Sequence, residues 1–302
     1  MTIRSLFTVL AVLTTLATSI AQEPVSLTLG LYSFKKPTEV YKQFQPVAVA
    51  LSQSLTVQLK RPATVELQIV KTYEECLAGF VAGKIDIVRF GPASYVLAKQ
   101  QCEGIELLAA ECEDSRGVGL IVVRDDSPVR RLADLAGRRI AFGDQQSTIG
   151  RYLSQAELVR AGITAKDLKG FEYLERHDIV FTAVEIGDFD AGALHADTFK
   201  ELNDKAKGMK LRVVHPFDNV AKPWIARAGM APEVVRALRE SLQQLKDPAA
   251  LKALKVPGFA PTVDADYESV RNGMALSDKF APEAAPSPAK QPVPSPAPAK
   301  GP

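Results

Sequence analysis

Strand-like and helix-like runs alternate along most of this 302-residue chain, and that alternation leaves few folds open. Val25–Leu31, Thr64–Val70, Ile85–Arg89, Ile105–Glu111 and Gly117–Arg124 read as strands, as do Arg139–Phe142, Tyr173–Leu174, Phe189–Leu194 and Leu211–His215. Between them lie helical stretches. Val40–Leu59 carries Val47, Leu51 and Leu55 four residues apart, and Tyr73–Ala82 stops at Gly83, a residue suited to the position after a helix. Further helices are expected from Ser94, over Arg130–Leu135, from Ser147, and over Asp178–Gly187, Thr198–Lys205, Pro232–Leu245 and Pro248–Leu254. Such an order predicts an α/β protein with mostly parallel sheets. In open α/β sheets ligands bind beyond the carboxyl ends of strands, so the turns that follow strands are where chemistry is expected.

The two ends stand apart from this pattern. Met1–Ala21 has one basic residue, Arg4, then an apolar stretch, then Ser19 and Ala21 as small residues at a cleavage site, which together read as a secretory signal peptide over residues 1–21. Residues 281–302 hold eight of the 20 prolines and read as an extended, disordered Pro/Ala-rich tail. The three cysteines are Cys76, Cys102 and Cys112; export permits a disulfide, with Cys102–Cys112 the preferred pair and Cys76 left as a buried thiol. No CxxC or Cys/His zinc spacing is present, so neither a metal nor a cofactor is expected. With 37 basic and 35 acidic residues, the chain lacks the basic excess of a nucleic-acid binder.

The strongest local signal is RRIAFGDQQSTIGRYL, Arg138–Leu153. A strand ends, a polar turn follows, and a helix starts at Ser147-Thr148, with Gly150 just inside it. Exposed N–H groups, a positive helix end and two hydroxyls favour an oxyanion there. A plain helix cap by Ser147 explains the same residues. A second strand–glycine turn–helix unit, GKIDIVRFGPASYVLA, leads to Ser94-Tyr95. A third candidate is His177-Asp178 at a helix start, where Asp178 serves as a cap and His177 is either a ligand group or a surface residue. GxSxG, HExxH and GxxxxGK are all missing, which argues against an enzyme.

Together, DIVRFGPASYVLA (Asp86–Ala98), DSPVRRLADLAGRRIAFGD (Asp126–Asp144), Ser147–Gly150, His177-Asp178, DAGAL (Asp190–Leu194) and DADYESVR (Asp264–Arg271) resemble the phosphate/phosphite/phosphonate substrate-binding proteins of ABC importers. The resemblance implies a type 2 periplasmic-binding fold with two α/β lobes and a cleft between them. Lobe one would take residues 22–115 and 216–280, lobe two residues 116–215, with crossings near Ser115–Val118 and His215–Phe217. It further implies that Ser147 and Thr148 donate to a phosphorus oxyanion and that His177 donates or carries charge. Tyr73 would close the far side, Tyr95 would belong to the site, and Asp197 would meet an amino group.

Three positions depart from the family pattern: Ile149 replaces a third hydroxyl, Gly117 a cleft aromatic, and Lys222 a second acidic residue. The implied function is a periplasmic, monomeric solute-binding protein that serves a membrane ABC permease. A periplasmic sensing module for a membrane signalling protein is the alternative, and a hydrolase a further one.

Overall fold

The computed structural model describes residues 23–32, 36–112 and 117–281. The expected signal peptide, the expected tail beyond residue 281 and the first residues of the expected crossing at Ser115–Val118 lie outside the described residues.

In chain order the elements are β1 (Val25–Tyr32), α1 (Pro37–Leu59), β2 (Ala63–Val70), α2 (Tyr73–Val81), β3 (Ile87–Arg89), α3 (Pro92–Gln101) and β4 (Glu106–Cys112). Then come β5 (Gly119–Arg124), β6 (Arg139–Phe142), a π-helical turn (Thr148–Leu153) running into α4 (Ser154–Arg160), and β7 (Gly170–Tyr173). They are followed by α5 (His177–Glu185), β8 (Ala191–His195), α6 (Ala196–Lys205) and β9 (Leu211–Phe217). The last group is β10 (Pro223–Ala226), α7 (Pro232–Gln243), α8 (Pro248–Leu254), β11 (Gly258–Ala260) and α9 (Glu268–Ser277).

Two sheets result. One has the order β11-β4-β10-β3-β1-β2, the other β7-β6-β8-β5-β9. In each sheet one half is parallel (β2-β1-β3 and β7-β6-β8) and the other antiparallel. The expectation of mostly parallel sheets is therefore corrected to mixed ones. Helix crossovers build the parallel halves, whereas β5 and β10 enter their sheets after the chain passes from one sheet to the other, and both pair antiparallel. β10 and β11 escape a periodicity reading because they are four and three residues long.

The local reasons for these elements are plain. α1 buries Val40, Phe44, Val47, Leu51 and Leu55 along one face. Pro37, Pro92, Pro232 and Pro248 open α1, α3, α7 and α8, where a missing N–H costs nothing. Asp86, just before β3, accepts from the Thr28 N–H (2.8 Å) and from Arg227 Nε (2.7 Å), so it ties β1 to the segment after β10.

The C-terminal segment departs from the division expected for the lobes. α9 packs against α3 on the side of the first sheet and against the Thr148–Leu153 turn and α4 on the side of the second. Ser277 Oγ donates to Gln155 Oε1 (2.7 Å), and a Cβ on Gly273 would lie 2.4 Å from Leu153 Cδ2. Phe280, expected in lobe one, is buried in the second sheet's core, with ring centroids 5.5 Å from Phe142 and 5.2 Å from Phe171. β9 also stays in the second sheet through Phe217, which pairs with Gly119. Phe280→Leu is expected to cost about 1–2 kcal/mol by leaving part of that aromatic cluster unfilled. Chemical denaturation of the purified chain measures it.

All three cysteines are unpaired, so the preferred Cys102–Cys112 bridge is not formed. Cys76 is fully buried, and burial pushes its thiol up to about 12.

Candidate functional site

The candidate site is assembled where strands end. β6 leads into Gly143, whose N–H donates to the Gly150 carbonyl (2.8 Å). Asp144 then turns the chain: its Oδ1 accepts from the Gln146 N–H (2.7 Å) and its carbonyl from the Ser147 N–H (3.0 Å). Ser147 caps the helix, its Oγ accepting from the Gly150 N–H (3.0 Å). Gly150 must be glycine, since a Cβ would lie 2.9 Å from Gly143 Cα and 3.0 Å from Ser147 Oγ. The cap is thus real, and the same hydroxyl also hydrogen-bonds Tyr73.

Thr148 does something the sequence did not announce. Its Oγ1 accepts from the Ala93 N–H (2.9 Å), which sits in the first turn of α3 on the other sheet. Ser147 and Thr148 are each 6% exposed. A Cβ on Gly91 would lie 3.3 Å from Thr148 Oγ1 and 3.7 Å from Tyr32 Oη, so the Gly91-Pro92 turn admits this close approach. Two helix starts, one from each sheet, therefore face one another. Each carries unsatisfied N–H groups and a positive dipole end.

Other side chains crowd round this junction. Tyr32 ends β1 and Tyr73 opens α2, with ring centroids 3.8 Å apart and a 34° tilt. Burial pushes the Tyr73 hydroxyl up, against the lowering effect of hydrogen bonds with Tyr32 and Ser147. Burial and the neighbouring Tyr73 push Tyr32 well up. Both phenols therefore keep their protons, and the Tyr32 hydroxyl spends its own on Tyr73. Asp144 is held above the ordinary carboxylate value, chiefly by burial.

His177 is the first residue of α5, and its Cε1 would lie 3.6 Å from a Cβ on Gly143. One ring nitrogen bonds the Ala193 carbonyl; the other, Nδ1, is shut off from solvent with no hydrogen-bond partner. Burial, then the nearby His195, and in smaller part Lys222, push its pKa down to about 4. With its pKa held down in this way the ring is neutral near pH 7, and one ring nitrogen is used on Ala193.

Two other expected residues, Tyr95 and Asp197, are placed differently. Tyr95 is 1% exposed and points away from the junction: its hydroxyl donates to Asp264 Oδ1 (2.5 Å), and its ring lies 4.7 Å from that of Tyr267. Arg271 also pairs with Asp264, so the late DADYESVR motif clasps α3 rather than lining the site. Ser94, one residue earlier, is 2% exposed, and its Oγ has no hydrogen-bond partner. Of the Ser94-Tyr95 pair named from the sequence, Tyr95 is the one assigned to the site; Tyr32 is not named for it at all. Asp197, at the start of α6, has a side chain 75% exposed; its N–H donates to His195 Nδ1 (3.1 Å), and its Oδ2 lies 3.8 Å from the same nitrogen.

Ile149, where a third hydroxyl was expected, packs in the core of the second sheet. Lys222 is half-buried, and its charge bears on both His177 and Glu111. Behind the junction, Glu111 is buried and accepts from Arg89 Nε (2.5 Å), Arg89 Nη2 (2.9 Å) and Trp224 Nε1 (3.0 Å). Burial opposes its ionisation, but Arg89, Lys222 and Trp224 outweigh that and hold its carboxyl below the usual value.

Two α/β lobes that bring helix starts to one junction define a two-lobed solute-binding protein of the type 2 periplasmic-binding fold. The family described as "ABC transporter, phosphonate, periplasmic substrate-binding protein" matches residues 29–267, and the chain belongs to that family. It is 26% identical over 282 residues to the phosphate-import protein PhnD of Mycolicibacterium smegmatis, covering 82% of this chain and 85% of that one. It is also 26% identical over 219 residues to a probable ABC transporter phosphite binding protein, PhnD1, of Prochlorococcus marinus, covering 68% and 71%. The solved structure of Prochlorococcus marinus PhnD1 with methylphosphonate has the same fold, with a TM-score of 0.71 at 22% identity over 84% of this chain and 98% of that one. XAC2383 from Xanthomonas citri, solved with chloride, also matches with a TM-score of 0.71, at 23% identity over 86% and 99%.

Proposed function

We propose that this chain captures a small phosphorus oxyanion in the periplasm and delivers it, as a monomer and without catalysis, to a membrane ABC permease. The observation that carries the ligand class is the bond between Thr148 Oγ1 and the Ala93 N–H (2.9 Å). It brings two helix starts from separate sheets together, and their positive ends repel unless an anion lies between them. Ser147, Thr148, Ser94, Tyr32 and Tyr73 supply hydroxyls round the same place. The relatives are named for phosphate import and phosphite binding, and one was solved with methylphosphonate. Those names favour import over sensing, and phosphonate, phosphite or phosphate as the ligand.

An amino-bearing phosphonate fits less well: the Asp197 carboxylate faces solvent, and the Lys222 cation bears on His177. Lobe one is proposed as residues 23–112 with the β10–β11 segment, lobe two as β5–β9, and α9 as a strap held by both.

Calorimetry of the purified chain against phosphate, phosphite, methylphosphonate and aminoethylphosphonate tests this. At least one of the first three is expected to bind tightly, and aminoethylphosphonate more weakly. Affinities no better than about millimolar for all four would overturn the proposal.

A further inference from the structure

We infer that His177 reads a proton on the bound anion: the site takes a tetrahedral oxyanion in a form that keeps one acidic hydrogen, which donates to Nδ1, and rejects an anion of the same shape and charge that has none. This rests on the anion-binding reading above and sharpens it.

Nearly every group at the junction is a donor. The Ser147, Thr148, Tyr32 and Tyr73 hydroxyls and the N–H groups of two helix starts satisfy lone pairs on any small oxyanion, whether of phosphorus or sulfur. Donors alone therefore cannot tell these classes apart. The exceptions are Asp144, whose Oδ1 already accepts from the Gln146 N–H, and His177. Its ring lies against Gly143, beside the Gly143–Gly150 contact that sets the helix start. One ring nitrogen is committed to the Ala193 carbonyl, while Nδ1 is enclosed and unpartnered. In a neutral imidazole with its hydrogen on the other nitrogen, Nδ1 presents a lone pair. Facing a bare oxyanion oxygen, that lone pair repels; facing a P–OH, it accepts.

The groups facing the ring favour this state. His195 at the end of β8 and Lys222 ahead of β10 disfavour a second proton on the imidazole, as burial does more strongly. Asp178 on the same helix pulls the other way, but its carboxylate is paired with Arg176. Asp144, on the loop that leads into Ser147, adds an acidic group that disfavours a fully ionised ligand. The proton therefore rides on the ligand.

Methylphosphonate and methanesulfonate provide the test. As monoanions they have the same shape and charge, but only the first carries a hydroxyl hydrogen. Calorimetry with the full chain is run from well below to well above the second ionisation of methylphosphonate, in buffers of different ionisation heat. Its affinity is expected to be flat below that ionisation and to fall about tenfold per pH unit above it, with one proton taken up per anion bound. Methanesulfonate is expected to bind at least about a hundredfold more weakly throughout. In His177→Leu the gap between the two ligands is expected to shrink below about tenfold.

Equal affinity for the two ligands overturns the inference, and so does methylphosphonate binding that ignores pH. Methanesulfonate binding that strengthens on acidification in parallel with methylphosphonate also overturns it, because the proton would then sit on His177. Failure of every phosphorus anion at every pH is a separate result: it removes the anion site itself, and the inference with it.

Discussion

Ser147→Asp is expected to leave the fold standing and to abolish oxyanion binding. Asp caps a helix about as well as Ser, and its charge complements the positive helix end, so the bond to the Gly150 N–H (3.0 Å) has a ready replacement. The cost falls on the ligand. A second negative charge about 4 Å from the anion, at an effective dielectric constant near 20, costs about 4 kcal/mol. That corresponds to roughly a thousandfold in affinity. Ser147→Ala, which removes a donor without adding charge, is expected to lose only about ten- to a hundredfold. Calorimetry gives the affinities, and thermal unfolding shows whether the fold is kept. A folded Ser147→Asp protein that binds phosphorus oxyanions like the wild type would place the anion elsewhere.

Glu111→Gln is expected to have the largest effect on stability, about 3 kcal/mol. The carboxylate side chain is 0% exposed and that of Arg89 is 21% exposed, so the pair is desolvated mainly on the acid side. Removing one charge from a buried pair leaves its partner uncompensated, which costs about 3–5 kcal/mol. The exposure of Arg89 argues for the lower end of that range. The glutamine also disturbs the acceptor for Trp224 Nε1, in the middle of β10.

Acid unfolding supplies a second readout. Glu111 ionises more readily folded than unfolded, so its contribution is complete above about pH 4.3, the ordinary glutamate value. It fades as the pH falls through the lower, folded value. The wild type should therefore lose more stability than Glu111→Gln over that acid range. Urea titrations at neutral and acid pH measure both effects, and a variant as stable as the wild type at neutral pH would show that the pair contributes nothing net.

The parts of this protein readable along the chain are those governed by neighbours within a few residues. The burial face of α1, the proline starts of α7 and α8 and the Ser147 cap all depend on local geometry, and each is found where the pattern put it. The loop from Gly143 to Gly150 was readable for the same reason. Ser94 and Tyr95 show where such reading stops. Successive helical residues point about 100° apart, so a start known to within one residue still leaves open which side chain faces the site. The bond from the Tyr95 hydroxyl to the Asp264 carboxylate holds Tyr95 on the far side and leaves Ser94 at the turn.

Asp197 is a similar case: its place at the start of α6 is local, but its carboxylate is exposed beside His195. The Thr148–Ala93 bond, the passage of α9 over both α3 and α4, and the burial of Phe280 among the second sheet's aromatics join residues tens to more than a hundred positions apart. No short-range preference encodes such contacts; they follow from how whole layers pack. The same holds for the protonation of His177. Its place at a helix start is written in the chain, while its neutrality comes from burial and from His195 and Lys222, brought to it by separate strands and loops.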